Sequence, residues 1–300
     1  MQVSTSYFYG SMASRMGALA SRADELNTQI AAGKRLTAPS QDPTAAARVA
    51  RFTRDEADAS VYQTNLSLAG STLAQTDSVL DSIQTQIQRA VELVTKAGND
   101  TLNAANRQAV GTELGSVVDE LISLANSKDV RGRPLFGNEP GTDAVSRDAT
   151  GAIKFADVTA SEVPIADGQS VQANERAERV FAGNGTNILQ VLSTLAAALQ
   201  AGSPDGSVAR AGLDALSAAD EQVSVVRASV GARAARVDLQ QSLQTDVDTH
   251  RAAEREAAEG GTIADKTAAI TELQQTMTVL QATQASFSKL SGLSLFDYLR

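Results

Sequence analysis

The sequence predicts a mainly α-helical fold: an elongated rod of long antiparallel helices with coiled-coil termini, and a small irregular or β module in mid-chain. Three observations lead to this prediction. Two long spans, 44–133 and 205–300, contain no proline, apolar residues recur every seven positions, and glycine and proline cluster between these spans. An interior proline costs a helix about 3 kcal/mol, so the proline-free spans can form long helices. The seven-residue repeat predicts that these helices pack on one another.

The N-terminal segment, residues 1–42, is predicted to contain an assembly helix with one apolar stripe. A glycine follows the stripe, where a left-handed residue commonly closes a helix, and an Asp-Pro pair then suits the cap and first turn of the next helix. The stripe consists of Met12, Met16, Leu19, Ala23, Leu26 and Ile30. The turn that starts the next helix is marked by Gly33, Lys34, Arg35, Asp42 and Pro43.

The next segments are predicted to form the body of the rod, with residues 43–137 as its N-terminal part and 187–259 as its C-terminal part. Each part carries a heptad seam, which indicates helix-on-helix packing. Within the second part, Thr186 or Asn187 is placed to cap a shorter helix over 188–200 that Gly202 closes. The seams are Leu66, Leu73, Leu80, Ile87 and Val94 in the first part, and Leu216, Val223, Val230 and Val237 in the second.

Residues 138–186 are predicted to form a small, separate, outward-facing module of loops and short strands, such as 152–158 and 163–165. The last segment, 260–300, again has one apolar stripe and is predicted to pair with residues 1–42. That stripe contains Ile263, Ile270, Leu273, Met277, Leu280 and Phe287.

Both chain ends are unusually apolar, although chain termini are usually polar and poorly packed. Two paired helices cannot cover so much apolar surface, so we expect these ends to be buried against other subunits. The predicted assembly interface combines the end residues with the two stripes, leaving out Ala23 and Ile263: Tyr7, Phe8, Met12, Met16, Leu19, Leu26, Ile30, Ile270, Leu273, Met277, Leu280, Phe287, Leu290, Leu293, Leu295, Phe296, Tyr298 and Leu299.

The composition provides little for catalysis or for cofactor binding. The absence of cysteine excludes disulfides and thiolate sites, and a single histidine, His250, excludes a two-histidine metal motif. The net charge of -9 disfavours nucleic-acid binding, which needs basic surfaces. We therefore expect no enzymatic activity, no catalytic residues, no cofactor and no metal. The chain shows neither a membrane segment nor a cleavable secretory signal.

Two short segments resemble the flagellin superfamily. The N-terminal run Val3-Ser4-Thr5, followed by Ala32-Gly33-Lys34-Arg35-Leu36 and Pro39-Ser40-Gln41-Asp42-Pro43, is similar to the N-terminus of that superfamily, with Gln41 in place of a usual aspartate. The closing run Gly292-Leu293-Ser294-Leu295-Phe296-Asp297-Tyr298-Leu299 resembles the tail of its hook-associated, hook–filament junction branch more than that of filament flagellins.

The resemblance implies a structural flagellar protein that joins the hook-cap region to the filament through its terminal coiled coils. Implied partners are other copies of the chain, the preceding hook-associated junction protein, flagellin, and the export chaperone and apparatus. The implied location is extracellular, at the hook–filament junction, after type III export.

Two alternatives remain open. A filament-forming flagellin shares the N-terminal motifs, and a surface adhesin or glycan receptor would use residues 138–186 as its binding module. The adhesin is disfavoured because that module offers few aromatic side chains for stacking on sugars.

Overall fold

The computed structural model describes residues 2–137, 141–157, 162–183, 185–202 and 206–298, and the side chains within these ranges from residue 7 to residue 289. It is 74% helical, with short antiparallel strands in the middle of the chain. The predicted mainly α-helical class with a central β region is confirmed. The helices are α1 (Gln2–Ala32), α2 (Pro43–Ala97), α3 (Ala104–Ala125), α4 (Ala177–Phe181), α5 (Ile188–Gln200), α6 (Ser207–Ala211), α7 (Leu213–Glu259) and α8 (Ile263–Tyr298).

The chain divides into two compact units. The first comprises residues 1–58 and 245–300, and the second comprises residues 59–244. Both boundaries fall inside long helices, α2 and α7, whereas the sequence predicts divisions at the helix ends near residues 42 and 259. In the first unit, α1 packs against α8.

In the second unit, the heptad seams of α2 and α7 are fully buried, from Leu66 to Val94 and from Leu216 to Val237. Helices α3 and α5 pack closely against each other. Gly111 of α3 permits this approach, since a Cβ there would lie 2.8 Å from the backbone nitrogen of Gln200 and 3.0 Å from the carbonyl oxygen of Ala196.

Within the described part of the chain, six short strands form three two-stranded antiparallel sheets. The strands are β1 (Val145–Arg147), β2 (Ile153–Phe155), β3 (Glu162–Ala166), β4 (Gln169–Gln172), β5 (Ala182–Gly183) and β6 (Thr186–Asn187). Val145, Ile153, Ile165 and Val171 from these strands belong to the same buried cluster as the helical seams. The described residues of the strand region therefore share one core with the helices of the second unit.

One ion-pair cluster fastens the strand region to α7. Glu175, only 1% exposed, accepts hydrogen bonds from Arg179 and Arg233 at the same carboxylate oxygen. Arg233 Nη1 also donates to the carbonyl oxygens of Gln172 (3.1 Å) and Asn174 (3.3 Å). A buried carboxylate is tolerated only when it is paired in this way.

Candidate assembly surface

Helices α1 and α8 form the pair that carries most of the predicted interface residues. Leu26 and Ala23 of α1 and Thr276 of α8 are buried. Near the other end of the pair, the rings of Tyr9 and Phe287 meet edge to face with their centroids 5.5 Å apart. Part of each stripe therefore lies at the contact between α1 and α8: Ala23 and Leu26 from the N-terminal stripe and Phe287 from the C-terminal one.

Backbone hydrogen bonds join the turn after α1 to the turn before α8. The amide of Arg35 donates to the carbonyl of Gly260 (3.1 Å), and the amide of Leu36 donates to that of Glu259 (2.9 Å). Gly260 has φ +66°, and a Cβ there would lie 2.6 Å from Arg35 Cβ, so only glycine fits this close approach. Lys34 adds an ion pair with Glu259 at 3.7 Å.

The next helix starts on an aspartate cap. Asp42 Oδ1 accepts a hydrogen bond from the amide of Ala45 (2.9 Å), and α2 begins at Pro43. This amide, together with the guanidinium of Arg35 at 3.7 Å, lowers the pKa of Asp42 below its ordinary value. The side-chain oxygen of Gln41 accepts from the amides of Thr37 (2.9 Å) and Ala38 (3.2 Å), so this residue holds the turn instead of capping the helix.

Pairing α1 with α8 leaves much apolar surface uncovered, which we call the terminal-helix surface. Tyr7 is 79% exposed and Ile263 is 83% exposed, and Ile263, Ile270 and Met277 follow one another every seven residues. The large apolar residues exposed on this surface are Tyr7, Phe8, Ile263, Ile270, Met277 and Val279. Partly buried members of the predicted interface are Met12, Met16, Leu19, Ile30, Leu273, Leu280 and Phe287.

The outcome for the remaining predicted residues is uneven. Leu290, Leu293, Leu295, Phe296, Tyr298 and Leu299 lie outside the residues whose side chains the structure describes. The predicted interface omits Ile263 and Val279, which the structure exposes on α8. The seven-residue spacing to Ile270 was the signal for Ile263, but no sequence pattern marked Val279.

A groove runs along the α1–α8 pair, lined on α1 by Met12, Arg15 and Leu19 and on α8 by Val279 and Ala282. Small side chains on its α8 side leave room for an apolar side chain of a neighbouring helix. The groove and the terminal-helix surface have the chemistry of a helix-packing site, because they are mainly apolar and shallow and bring no catalytic groups together.

The described residues hold no constellation suited to chemistry. His250 is exposed on α7, and no group of three or more metal-ligating side chains is found within the described ranges. No described helix is long and apolar enough to cross a membrane.

Comparison with known proteins relates this chain to flagellar proteins. Residues 3–140 match the bacterial flagellin N-terminal helical region. Flagellar hook-associated protein 3 of Salmonella typhimurium is 28% identical over 336 residues, covering 100% of both chains. The protein of the same description from Escherichia coli is 27% identical over 289 residues, covering 90% of each chain.

The fold is also shared with a solved structure. A Vibrio parahaemolyticus protein assigned as a flagellar hook-associated protein superposes with a TM-score of 0.67 at 24% identity, covering 73% of this chain and 100% of that chain. The match to the Salmonella typhimurium protein extends along the whole chain, and both of these relatives are described as flagellar hook-associated protein 3. The chain is therefore similar to the bacterial flagellin N-terminal helical region over residues 3–140 and, over nearly its full length, to proteins described as flagellar hook-associated protein 3.

Proposed function

We propose that this chain is a structural subunit of the bacterial flagellum that joins the hook-cap region to the filament, by helical self-assembly through α1 and α8. The proposal rests on the terminal-helix surface, whose apolar seam has no cover within the chain's described residues. The chain's similarity to two proteins named flagellar hook-associated protein 3 supports this role over that of a filament flagellin.

The energetics favour burial of this surface by neighbouring subunits. Fully burying one large apolar side chain contributes about 1.5–3 kcal/mol. Large apolar side chains of this surface are still exposed, so their burial on assembly would add such contributions; among them are Tyr7, Ile263, Ile270 and Met277. Ordering each residue costs about 1–2 kcal/mol in backbone entropy, and a pair of isolated helices offsets this cost only weakly. Burial of the seam on assembly would therefore stabilise both helices.

The proposed partners follow from this role. Copies of the chain would contact one another through the terminal-helix surface, with the preceding hook-associated junction protein on one side and flagellin on the other. An export chaperone and the export apparatus would handle the chain before assembly, and its final location would be extracellular, on the flagellum. The role requires no catalysis.

Immunogold labelling of intact flagella tests the proposal. A narrow band of label where the hook meets the filament is expected, and label along the whole filament would instead make the chain a flagellin. A strain lacking the gene serves as the negative control. Label absent from the flagellum, although the protein is produced, would refute a structural role there.

A matched pair of variants tests the surface itself. Met277→Asp places a charge in the exposed seam of α8 and should prevent incorporation, while circular dichroism remains helical. Val61→Asp changes an apolar residue of α2 outside this surface that is at least as exposed as Met277, and it should incorporate normally. Normal incorporation of both variants would contradict assembly through the terminal-helix surface.

A further inference from the structure

Val130 is the most exposed large apolar side chain among the described residues, at 84%. It lies in the second unit, so contacts of the terminal-helix surface do not explain its exposure. Val130 occupies a tight turn, Asp129–Arg133, between the residues of an isolated antiparallel bridge, Lys128 and Pro134. We call Asp129–Arg133 the Val130 turn.

The backbone of the Val130 turn is fixed by an aspartate and a glycine. Asp129 Oδ1 accepts from the amides of Arg131 and Arg133, both at 2.8 Å. The amide of Asp129 donates to the carbonyl of Arg133 (2.8 Å), and the amide of Gly132, with φ +76°, donates to that of Asp129 (2.9 Å). The turn therefore has four hydrogen bonds of its own and a glycine at the left-handed position.

A second turn in the same unit repeats this arrangement. In Asp148–Ala152, here the Asp148 turn, Asp148 Oδ1 accepts from the amides of Thr150 (2.9 Å) and Ala152 (3.0 Å). The amide of Asp148 donates to the carbonyl of Ala152, and the amide of Gly151, with φ +83°, donates to that of Asp148, both at 2.9 Å.

Comparing the two turns shows which residues the backbone geometry requires and which side chains it leaves free to vary. Both turns require the aspartate and the glycine, but the positions held by Val130, Arg131 and Arg133 carry alanine, threonine and alanine in the Asp148 turn. The backbone geometry therefore does not require valine or arginine at these positions.

The side chains around Val130 are cationic and available. Lys128, Arg131 and Arg133 are exposed and form no ion pair with any described residue. In the Asp148 turn, by contrast, Asp148 pairs with Lys154 at 3.0 Å. An apolar side chain adjacent to cations that pair with no described residue, on a backbone fixed by hydrogen bonds, loses little conformational entropy on binding, and arginine is enriched at protein interfaces.

We propose that the Val130 turn docks on an acidic surface of a second copy of this chain. Charge complementarity identifies the occupant: the chain carries 35 acidic against 26 basic residues, so its surface is predominantly negative, whereas the turn is positive. The inference rests on the proposed function, because assembly brings copies of the chain side by side. It adds a contact made by the second unit, independent of the terminal-helix surface.

Site-specific photo-crosslinking in intact flagella tests this contact. A photoreactive amino acid at position 130 should crosslink to a species of twice the 31.2 kDa chain mass, and the same probe at Ala149 of the Asp148 turn should not. The triple variant Val130→Ala, Arg131→Thr, Arg133→Ala copies the Asp148 turn and keeps its backbone. For this test the photoreactive amino acid is placed at the neighbouring exposed position Lys128, with and without the triple substitution. The triple substitution should lower the yield of the crosslinked dimer about tenfold and leave the circular dichroism spectrum unchanged.

Each outcome of these experiments supports or overturns a stated part of the proposal. A crosslink from position 130 to a different protein, an equal yield from position 149, or no crosslink from chains that are present at the junction would overturn the second-copy assignment. An unchanged yield in the triple variant would overturn the role of the valine and arginines. Absence of the chain from the flagellum would instead refute the proposed function, so the two failures are distinguishable.

Discussion

Replacing Arg233 by methionine should destabilise the second unit strongly. In the folded chain, this guanidinium contacts the carboxylate of Glu175, which is only 1% exposed, and binds two carbonyl oxygens of the strand region. Methionine preserves much of the apolar stem but removes every donor. The change leaves a buried carboxylate with one remaining arginine, Arg179, which is itself partly solvated.

The magnitude follows from burial. Removing one partner of a buried ion pair costs about 3–5 kcal/mol, because the remaining charge is uncompensated. Arg179 still donates to Glu175 at 3.0 Å, so the expected loss is at the lower end, about 3 kcal/mol. For a domain of this size, that corresponds to a fall in Tm of about 6–12 °C.

Urea titration and thermal unfolding of the full chain, followed by circular dichroism, would measure this loss. Arg227→Met is the matched control: Arg227 lies on the same helix and pairs with Asp77 (3.3 Å) and Asp81 (2.9 Å), but both carboxylates are exposed. That variant should lose less than about 1 kcal/mol. Equal losses in the two variants would refute the argument from burial. Adding Glu175→Gln to Arg233→Met should recover part of the stability, because the buried site then holds no unpaired charge and Arg179, which loses its partner, is partly solvated.

Three further predictions concern other parts of the chain. Gly111→Ala should destabilise the α3–α5 contact by about 1–3 kcal/mol in urea unfolding, whereas Gly115→Ala, which meets only a flexible side-chain amide at 3.3 Å, should be neutral or stabilising. Hydrogen bonds from Thr150 and Lys154 lower the pKa of Asp148 well below its ordinary value of 3.8. The contribution of Asp148 to folding stability should therefore be present above about pH 4 and be lost as the pH falls further. An NMR titration of the Asp148 carboxyl should show no midpoint near 3.8. Ile270→Asp should abolish incorporation into flagella with the helices intact by circular dichroism, and its normal incorporation would contradict burial of the seam.

The sequence predicted those features that repeat or that use particular residue types. The heptad at Leu66 and Leu73 identified a buried seam because a helix returns each seventh residue to the same face. The limits predicted for α5 coincide with those observed, and the side chain of Asn187 accepts from the amide of Gln190 (3.3 Å) as a cap.

Other features left no local pattern to detect. The strand region shares the helical core through long-range contacts of residues such as Ile165 and Val171, which a sequence shows only as short apolar pieces. The backbone pairing of Arg35 with Gly260 uses amide and carbonyl groups that every residue possesses, so neither side chain signals it. The exposed side of α8 depends on where α1 packs, which periodicity alone does not determine.

In the role proposed above, that backbone pairing has a mechanical consequence when the assembled subunit is pulled. A pull that slides the end of α1 past the start of α8 would load the bonds from Arg35 to Gly260 and from Leu36 to Glu259 together, in shear. Bonds loaded in parallel resist force better than bonds that break one after another. Because main-chain atoms form these hydrogen bonds, nearly any change of side chain leaves this resistance intact. Gly260 is the exception, since an added methyl group there would push the two hydrogen-bonded turns apart.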